Sequence, residues 1–367
     1  MTTSGKKSKT TYTRPATSKI IQLVVGVIVS LWLFWRVYQV VIIQQAFTPE
    51  TWVRLGMSGL IIGGMYALIA IGYTLVYGIL FMINFAHGEV MMIGAFGGYF
   101  VLEALNAVYI PGSDQALVNA YPVVSIILAF ILGMTVAAAS GYFLEKLAYR
   151  PLRNAPRLVP LISAIGASIF LQNASQLLFG PRRRDYANPE VLSRGSGWVI
   201  QIGDSQVMFT YTGMLSIALS AALMIGLYLL VQRTKLGKAM RAVAQDKKTA
   251  ALMGIDVNDV ISKTFIISGA LAGAAGVMWG IHNGVINYFT GFLPGIKAFT
   301  AAVLGGIGSI PGAMLGGFFL GIIESIGPAA LGIDFQLKDV IAFSILVLVL
   351  IFRPSGILGE ALSEEKL

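Results

Sequence analysis

The chain has 367 residues, of which 56% are hydrophobic and 12% charged, with 26 Lys and Arg against 17 Asp and Glu for a net charge of +9. Soluble domains carry about 25% charged residues, so this composition, laid out in apolar runs of about 20 residues, defines an integral membrane protein. It excludes a disordered chain and a collagen-like repeat, since the 42 Gly lie in apolar stretches without a three-residue period, and the lack of Cys excludes a disulfide scaffold, thiolate catalysis and a Cys-ligated metal. His87 and His282 are the only histidines, so no metal centre is expected.

In chain order, apolar runs fall at about 20–43, 55–81, 86–106, 121–143, 158–179, 211–231, 261–282, 296–308, 310–327 and 338–352. They predict an all-α, polytopic bundle of nine or ten membrane segments. The run at 55–81 exceeds what a bilayer requires and is expected to tilt or break. The run at 296–308 is too short to cross alone and is expected to be half-spanning. A basic start followed by 20–43 resembles a secretory signal, but this stretch is about twice the length of a signal core, contains Trp32, Trp35 and Arg36, and has no small-residue cleavage motif after it. It is expected to be a retained helix, behind a solvated Ser-, Thr- and Lys-rich tail.

Threading ten segments alternately puts 18 of the 26 basic residues on one side. They collect in the tail, in a loop with Lys146, Arg150, Arg153 and Arg157, and in a loop from Arg233 to Lys248. That side is expected to be cytoplasmic, with both termini inside. Arg182, Arg183 and Arg184 run against the rule in an outer loop at about 180–210, and are expected to help dock an acidic partner surface there.

Several segments carry small residues three or four apart, among them Gly59 and Gly63, Gly94, Gly97 and Gly98, and Gly269, Gly273 and Gly276. In lipid that spacing marks close helix contacts. The stretch 94–100 (GAFGGYF) is similar to 312–319 (GAMLGGFF), each after a polar break, which suggests an internal duplication of the kind found in transporters. The first break holds Asn84, His87 and Glu89. These intramembrane polar groups serve either a transport path or the start of the next helix, with Asn84 as its cap and Glu89 at the positive end of its dipole. Spacing does not choose between them. Glu103, His282, Lys297 and Glu324 fall near helix ends, where snorkelling accounts for each.

The loop at 233–256 interleaves Met240, Val243, Ala244, Ala251 and Leu252 with charges. It predicts short amphipathic helices on the membrane face, with Gly254 as a stop, offering a docking surface to another protein. The chain has no phosphate-binding Gly-Lys-Ser/Thr loop, no Gly-x-Ser-x-Gly and no His-Glu-x-x-His. An enzyme reading is therefore poor.

Four blocks carry a family likeness: YALIAIGYTLVYGILFMINFAHGEVMMIGAF (66–96), AYRPLRNAPRLVPLISAIGASIFLQN (148–173), GKAMRAVAQDKKTAALMGIDVNDVI (237–261) and GVINYFTGFLPGIKAFTAAVLGGIGSIPGAMLGG (284–317). In these the chain resembles the permease subunits of bacterial ABC importers for branched-chain amino acids. The likeness runs from about residue 52 to the end, leaving 1–50 as a basic tail plus an additional helix and 51–367 as the permease domain.

The resemblance implies an inner-membrane translocation subunit with no cofactor of its own. Its partners would be a second homologous permease, cytoplasmic ATPases that use the ATP, an extracytoplasmic amino-acid-binding protein and the surrounding lipid. It also implies that Gly237, Lys238, Arg241, Ala244, Asp246 and Gly254, within a region at about 233–260, couple to the ATPase. Asn84, His87 and Glu89, together with Gly305, Gly306, Ser309 and Pro311, would line or gate the path. The positive charge then marks topology and ATPase docking, and no nucleic-acid partner is expected. Permeases for urea or short amides look similar. A stand-alone secondary carrier is the alternative from another class, disfavoured by an expected shortage of buried carboxylates. An intramembrane enzyme using His87 and Glu89 as acid and base ranks last.

Overall fold

A computed structural model describes residues 16–153, 155–156, 158–193, 195–202, 205–353 and 355–359. Most of the basic tail, Arg157 and Lys366 lie outside the described residues. The helices are α1 (Ala16–Tyr38), α2 (Pro49–Leu80), α3 (His87–Asn106), α4 (Leu117–Ala120), α5 (Pro122–Leu144), α6 (Leu158–Phe179), α7 (Tyr211–Arg233), α8 (Lys235–Gln245), α9 (Lys247–Leu252), α10 (Val257–Asn283), α11 (Phe292–Gly305), α12 (Ile310–Leu331) and α13 (Lys338–Phe352). All ten expected segments are present. Among the described residues, nine are long and apolar enough to cross a membrane, and α11 is the short tenth.

The loop at about 180–210 holds most of the little sheet that this helical fold contains. It holds an antiparallel hairpin of β2 (Gly197–Ile202) and β3 (Ser205–Thr210), and β1 (Arg184–Asp185) pairs with β4 (Val285–Ile286). Tyr186 follows β1 and plunges into the bundle, its hydroxyl donating to the Ala95 carbonyl at 3.1 Å. Burial holds that hydroxyl above the usual tyrosine range. Arg184 turns inward over the Tyr99 ring and donates to the Phe179 carbonyl. Of the three expected docking arginines only Arg182 and Arg183 face out.

Helices α2, α3 and α10 form the centre, whereas α5, α6, α7 and α13 present apolar side chains such as Ile131, Phe170, Leu229 and Leu350 outward. Small residues are what let the central helices approach their neighbours α12 and α5. A methyl built on Gly63 would lie 2.9 Å from the Phe318 Cα, and one on Gly273 would lie 2.9 Å from the Met134 Cα. At these distances backbones touch, which in lipid is the main source of helix affinity.

Helix α2 has 32 residues, about 48 Å at 1.5 Å per residue, and ends at Phe81 in the left-handed region, φ 57°. The chain then folds back. His87, the first residue of α3, packs against Gly72 so closely that a methyl there would clash with its imidazole. Gly72 lies eight residues, about 12 Å, before the end of α2, so α3 starts inside the bundle. Helix α11 starts there too, because Gly291 and Gly295 both abut Gly88. Two helix N-termini thus meet within the apolar core, an arrangement typical of broken-helix transporters.

Lys297 and Glu324 do not snorkel. They are 5% and 3% exposed and pair at 2.7 Å, because their helices face one another and neither side chain reaches a boundary. Glu89, Glu145 and Glu324 are all buried, so the expected shortage of buried carboxylates does not hold.

Candidate coupling cleft and broken-helix centre

Thr234 ends α7 and caps α8, its hydroxyl accepting from the Gly237 amide at 3.1 Å. The two helices meet at a sharp turn, and Gly237 sits so close to the Leu230 and Val231 carbonyls that no side chain fits. Met240 and Val243 are buried on one face of α8, and Lys238 and Arg241 are exposed on the other. Arg241 donates to the Val231 carbonyl, satisfying one of the free carbonyls at the end of α7. Asp246 caps α9, accepting from the Lys248 amide at 2.8 Å and the Thr249 hydroxyl at 2.5 Å. Those bonds, the Thr249 hydroxyl first, hold its carboxyl below the usual range. Gly254 takes φ +83° after α9, as a helix stop requires.

At the end of α9, Leu252 and Met253 stand 87% and 78% exposed, an apolar tip on a helix that begins with Lys247 and Lys248. Lys247 is half-buried, and burial first, then the Arg153 guanidinium, lower its pKa. Arg153 and Arg150 both pair with the fully buried Glu145, and Arg153 also donates to Asn258 at 2.6 Å. The 145–153 stretch and the start of α10 are therefore tied together beside α9. Replacing Asp246 by Ala removes the α9 cap and is expected to loosen that helix, seen as faster amide exchange across 247–252 with exchange in α8 unchanged.

The structure brings two of the expected groups together. Arg241 and Ala244 line a cleft of about 540 Å³ together with Ser309 and Pro311, and Tyr77, Phe81 and Tyr228 line it too. Ser309 caps α12 through the Gly312 amide at 3.2 Å. Gly306, at φ +106°, is packed against the backbone of Leu358 and Gly359, and the Leu358 amide donates to the Gly305 carbonyl at 2.9 Å. The three tyrosine and phenylalanine side chains were not singled out from sequence. The unit-long αL break at Phe81 has no sequence mark, since it uses no glycine.

Asn84, His87 and Glu89 are not in that cleft but at the broken-helix centre. Asn84 does not cap α3 with its side chain. Ala86 occupies the cap without a side-chain bond, and the Asn84 Oδ1 instead accepts from the Tyr149 hydroxyl at 3.0 Å, because the fold-back turns it toward the end of α5. His87 donates to the Ile69 carbonyl and meets Tyr73 edge-on at 4.9 Å. Glu89 does lie in the first turn of α3, accepting from Gln172 at 2.6 Å and Ser168 at 3.3 Å on α6. One polar atom each on Thr74, Asn84, His87 and Glu89 is buried without a protein partner, so this centre retains hydrogen-bonding capacity.

A many-spanning helical bundle with broken helices at its centre and a cleft bounded by a short amphipathic helix defines a membrane transport subunit. The model of the family described as branched-chain amino acid transport system, permease component, matches residues 56–350, and the chain belongs to that family. It is 49% identical over 304 residues to the high-affinity branched-chain amino acid transport system permease protein BraD of Pseudomonas aeruginosa, covering 83% of this chain and 94% of BraD. It is 46% identical over 305 residues to the Escherichia coli permease LivH of the same description, covering 83% and 94%. A more distant relative, the fructose import permease protein FrcC of Rhizobium meliloti, is 28% identical over 186 residues, covering 48% and 47%. No solved structure matches the chain. The protein is a multi-pass permease subunit of an ABC importer, not a catalytic enzyme.

Proposed function

We propose that this chain is the translocation subunit of an ATP-driven, binding-protein-dependent importer of branched-chain amino acids in a bacterial inner membrane, with both termini cytoplasmic. The observation that carries the reading is the cleft in which α8 faces the α11–α12 turn. A movement imposed on α8 from outside the membrane reshapes the cleft that Arg241 and Ala244 share with Ser309 and Pro311, where α11 passes into α12. Lys238, Leu252 and Met253 offer a cytoplasmic ATPase an apolar tip with a basic rim. The ATP is used by that partner, and the chain itself needs no cofactor. A second homologous permease completes the path on the apolar outer faces, and an extracytoplasmic binding protein delivers the amino acid. The names of BraD and LivH support branched-chain substrates, at identities well above that of the fructose permease.

The test is uptake of radiolabelled leucine into proteoliposomes holding this chain, its homologous permease and the ATPases, with binding protein outside the compartment that contains ATP. Uptake is expected only with hydrolysable ATP. Accumulation driven by an ion gradient without ATP would instead make the chain a secondary carrier.

A further inference from the structure

Lys297 on α11 is nearly buried and holds Glu324 on α12 at 2.7 Å and Asp339 on α13 at 2.5 Å. Lys338 stands 3.6 Å from Glu324, and the Tyr66 hydroxyl on α2 donates to the other Glu324 oxygen at 2.9 Å. Three helices thus bring two ammonium and two carboxylate groups to one place, and α2 adds the Tyr66 hydroxyl. Glu324 lies 14 residues from the start of α12 and Tyr66 14 from the end of α2, about 21 Å along each helix, so the cluster is in the half of the bundle remote from α8. It borders a cavity of about 180 Å³ whose other walls include Ile62, Trp279, Leu293 and Pro294.

A structural staple alone explains this poorly. Taking such charges out of water costs several kcal/mol per ion, and an apolar substitute packs as well or better, so intramembrane charges are kept where they do work. This cluster also has capacity to spare. An ammonium has three donors, and Lys297 donates one of them to Glu324, while the Asp339 Oδ1 with which it pairs has no hydrogen-bond partner. Lys338 and Asp339 are partly exposed, at 46% and 37% of their side chains, and stand at the cavity rim.

We propose that this cavity is a substrate subsite that recognises the zwitterionic head of a free amino acid, with Lys297 and Lys338 receiving the α-carboxylate, Asp339 and Glu324 the α-ammonium, and the Trp279, Ile62 and Leu293 wall the aliphatic side chain. The cluster is neutral overall, as the zwitterion is, so binding brings no net charge into the membrane. Each end of the ligand replaces part of an ion pair already there. The inference rests on the reading that the chain moves amino acids, and adds where and by which groups the head is held.

The chain has no cysteine, so Leu293→Cys places a single thiol on the cavity wall. In the full-length chain in lipid nanodiscs, leucine at about four times its Kd is expected to slow labelling of that thiol by a small charged methanethiosulfonate about fivefold. Leucinamide, which lacks the carboxylate, and 4-methylpentanoate, which lacks the ammonium, at the same concentration leave the rate unchanged. Adding Lys297→Met with Glu324→Gln removes both charges of the pair together and abolishes protection by leucine. Adding Lys338→Met, at the half-exposed rim, weakens it in a background where packing is undisturbed. Equal slowing by all three compounds, no slowing by leucine, or full protection in the charge variants overturns the proposal. No protection by leucine in the Leu293→Cys chain alongside ATP-dependent leucine uptake by the assembled importer removes the subsite and leaves the importer reading standing. Absence of both removes the importer reading and the subsite with it.

Discussion

Replacing Gly237 by Val is expected to lower ATP-driven leucine uptake at least about tenfold while the protein still inserts and remains folded in the membrane. The reason is local. A β-carbon at this position would overlap the Leu230 and Val231 carbonyls, which belong to the last turn of α7 and have no room to retreat. Helix α8 must therefore move away from α7. That movement stretches the Thr234 cap and the Arg241 contact to Val231, and withdraws Arg241 and Ala244 from the cleft they share with Ser309 and Pro311. Overpacking of this kind costs about 1–3 kcal/mol, and 1.4 kcal/mol spent against the docked position of α8 is about tenfold in its population. Thr234→Ala, which removes the cap and adds no bulk, should have a smaller effect. The measurement is initial uptake rate in proteoliposomes, normalised to the amount of inserted permease. Normal uptake by Gly237→Val would mean that α8 is a topological anchor only.

The second large effect is on stability. Lys297→Met alone is expected to destabilise the protein by about 3–5 kcal/mol, because it leaves the buried Glu324 with only Tyr66 and a half-exposed Lys338 for partners. Adding Glu324→Gln should restore most of that loss, since the charge that lacked a partner is then gone. Thermal unfolding in detergent, followed by the change in helix signal, reports both. The exposed pair of Lys263 and Asp259, at a similar distance of 2.6 Å, provides the contrast. Removing Lys263 should cost no more than about 0.5 kcal/mol, because both groups keep their water when the partner is lost. If the single and double variants at Lys297 unfold alike, the pair is not the buried, mutually dependent unit described here.

Much of this was legible along the chain. A helix in lipid must satisfy its own backbone, so length and hydropathy alone located all ten segments, including the over-long α2 and the short α11. The turn chemistry of Thr234, Asp246 and Gly254 is likewise local, and the amphipathic helices between them follow from it. The cleft shared by α8 and the α11–α12 turn joins residues some seventy apart in sequence, and the family likeness named both parties without stating that they line one cleft.

What the sequence by itself determined is the number of long apolar segments, the position of the short helices α8 and α9 and the family, because each depends on local hydropathy, on caps within a few residues or on uninterrupted blocks of likeness. What only the tertiary structure decided is the environment of the charged and polar groups. Asn84 serves Tyr149 and not a cap, Arg184 folds onto Tyr99 and does not face out, and Lys297 and Glu324 share a buried cluster and do not snorkel. Whether an ionisable side chain near a helix end reaches water, lipid or a partner depends on what the other helices put beside it. That is fixed by glycine-mediated approach between segments far apart in the chain, a property no single segment carries.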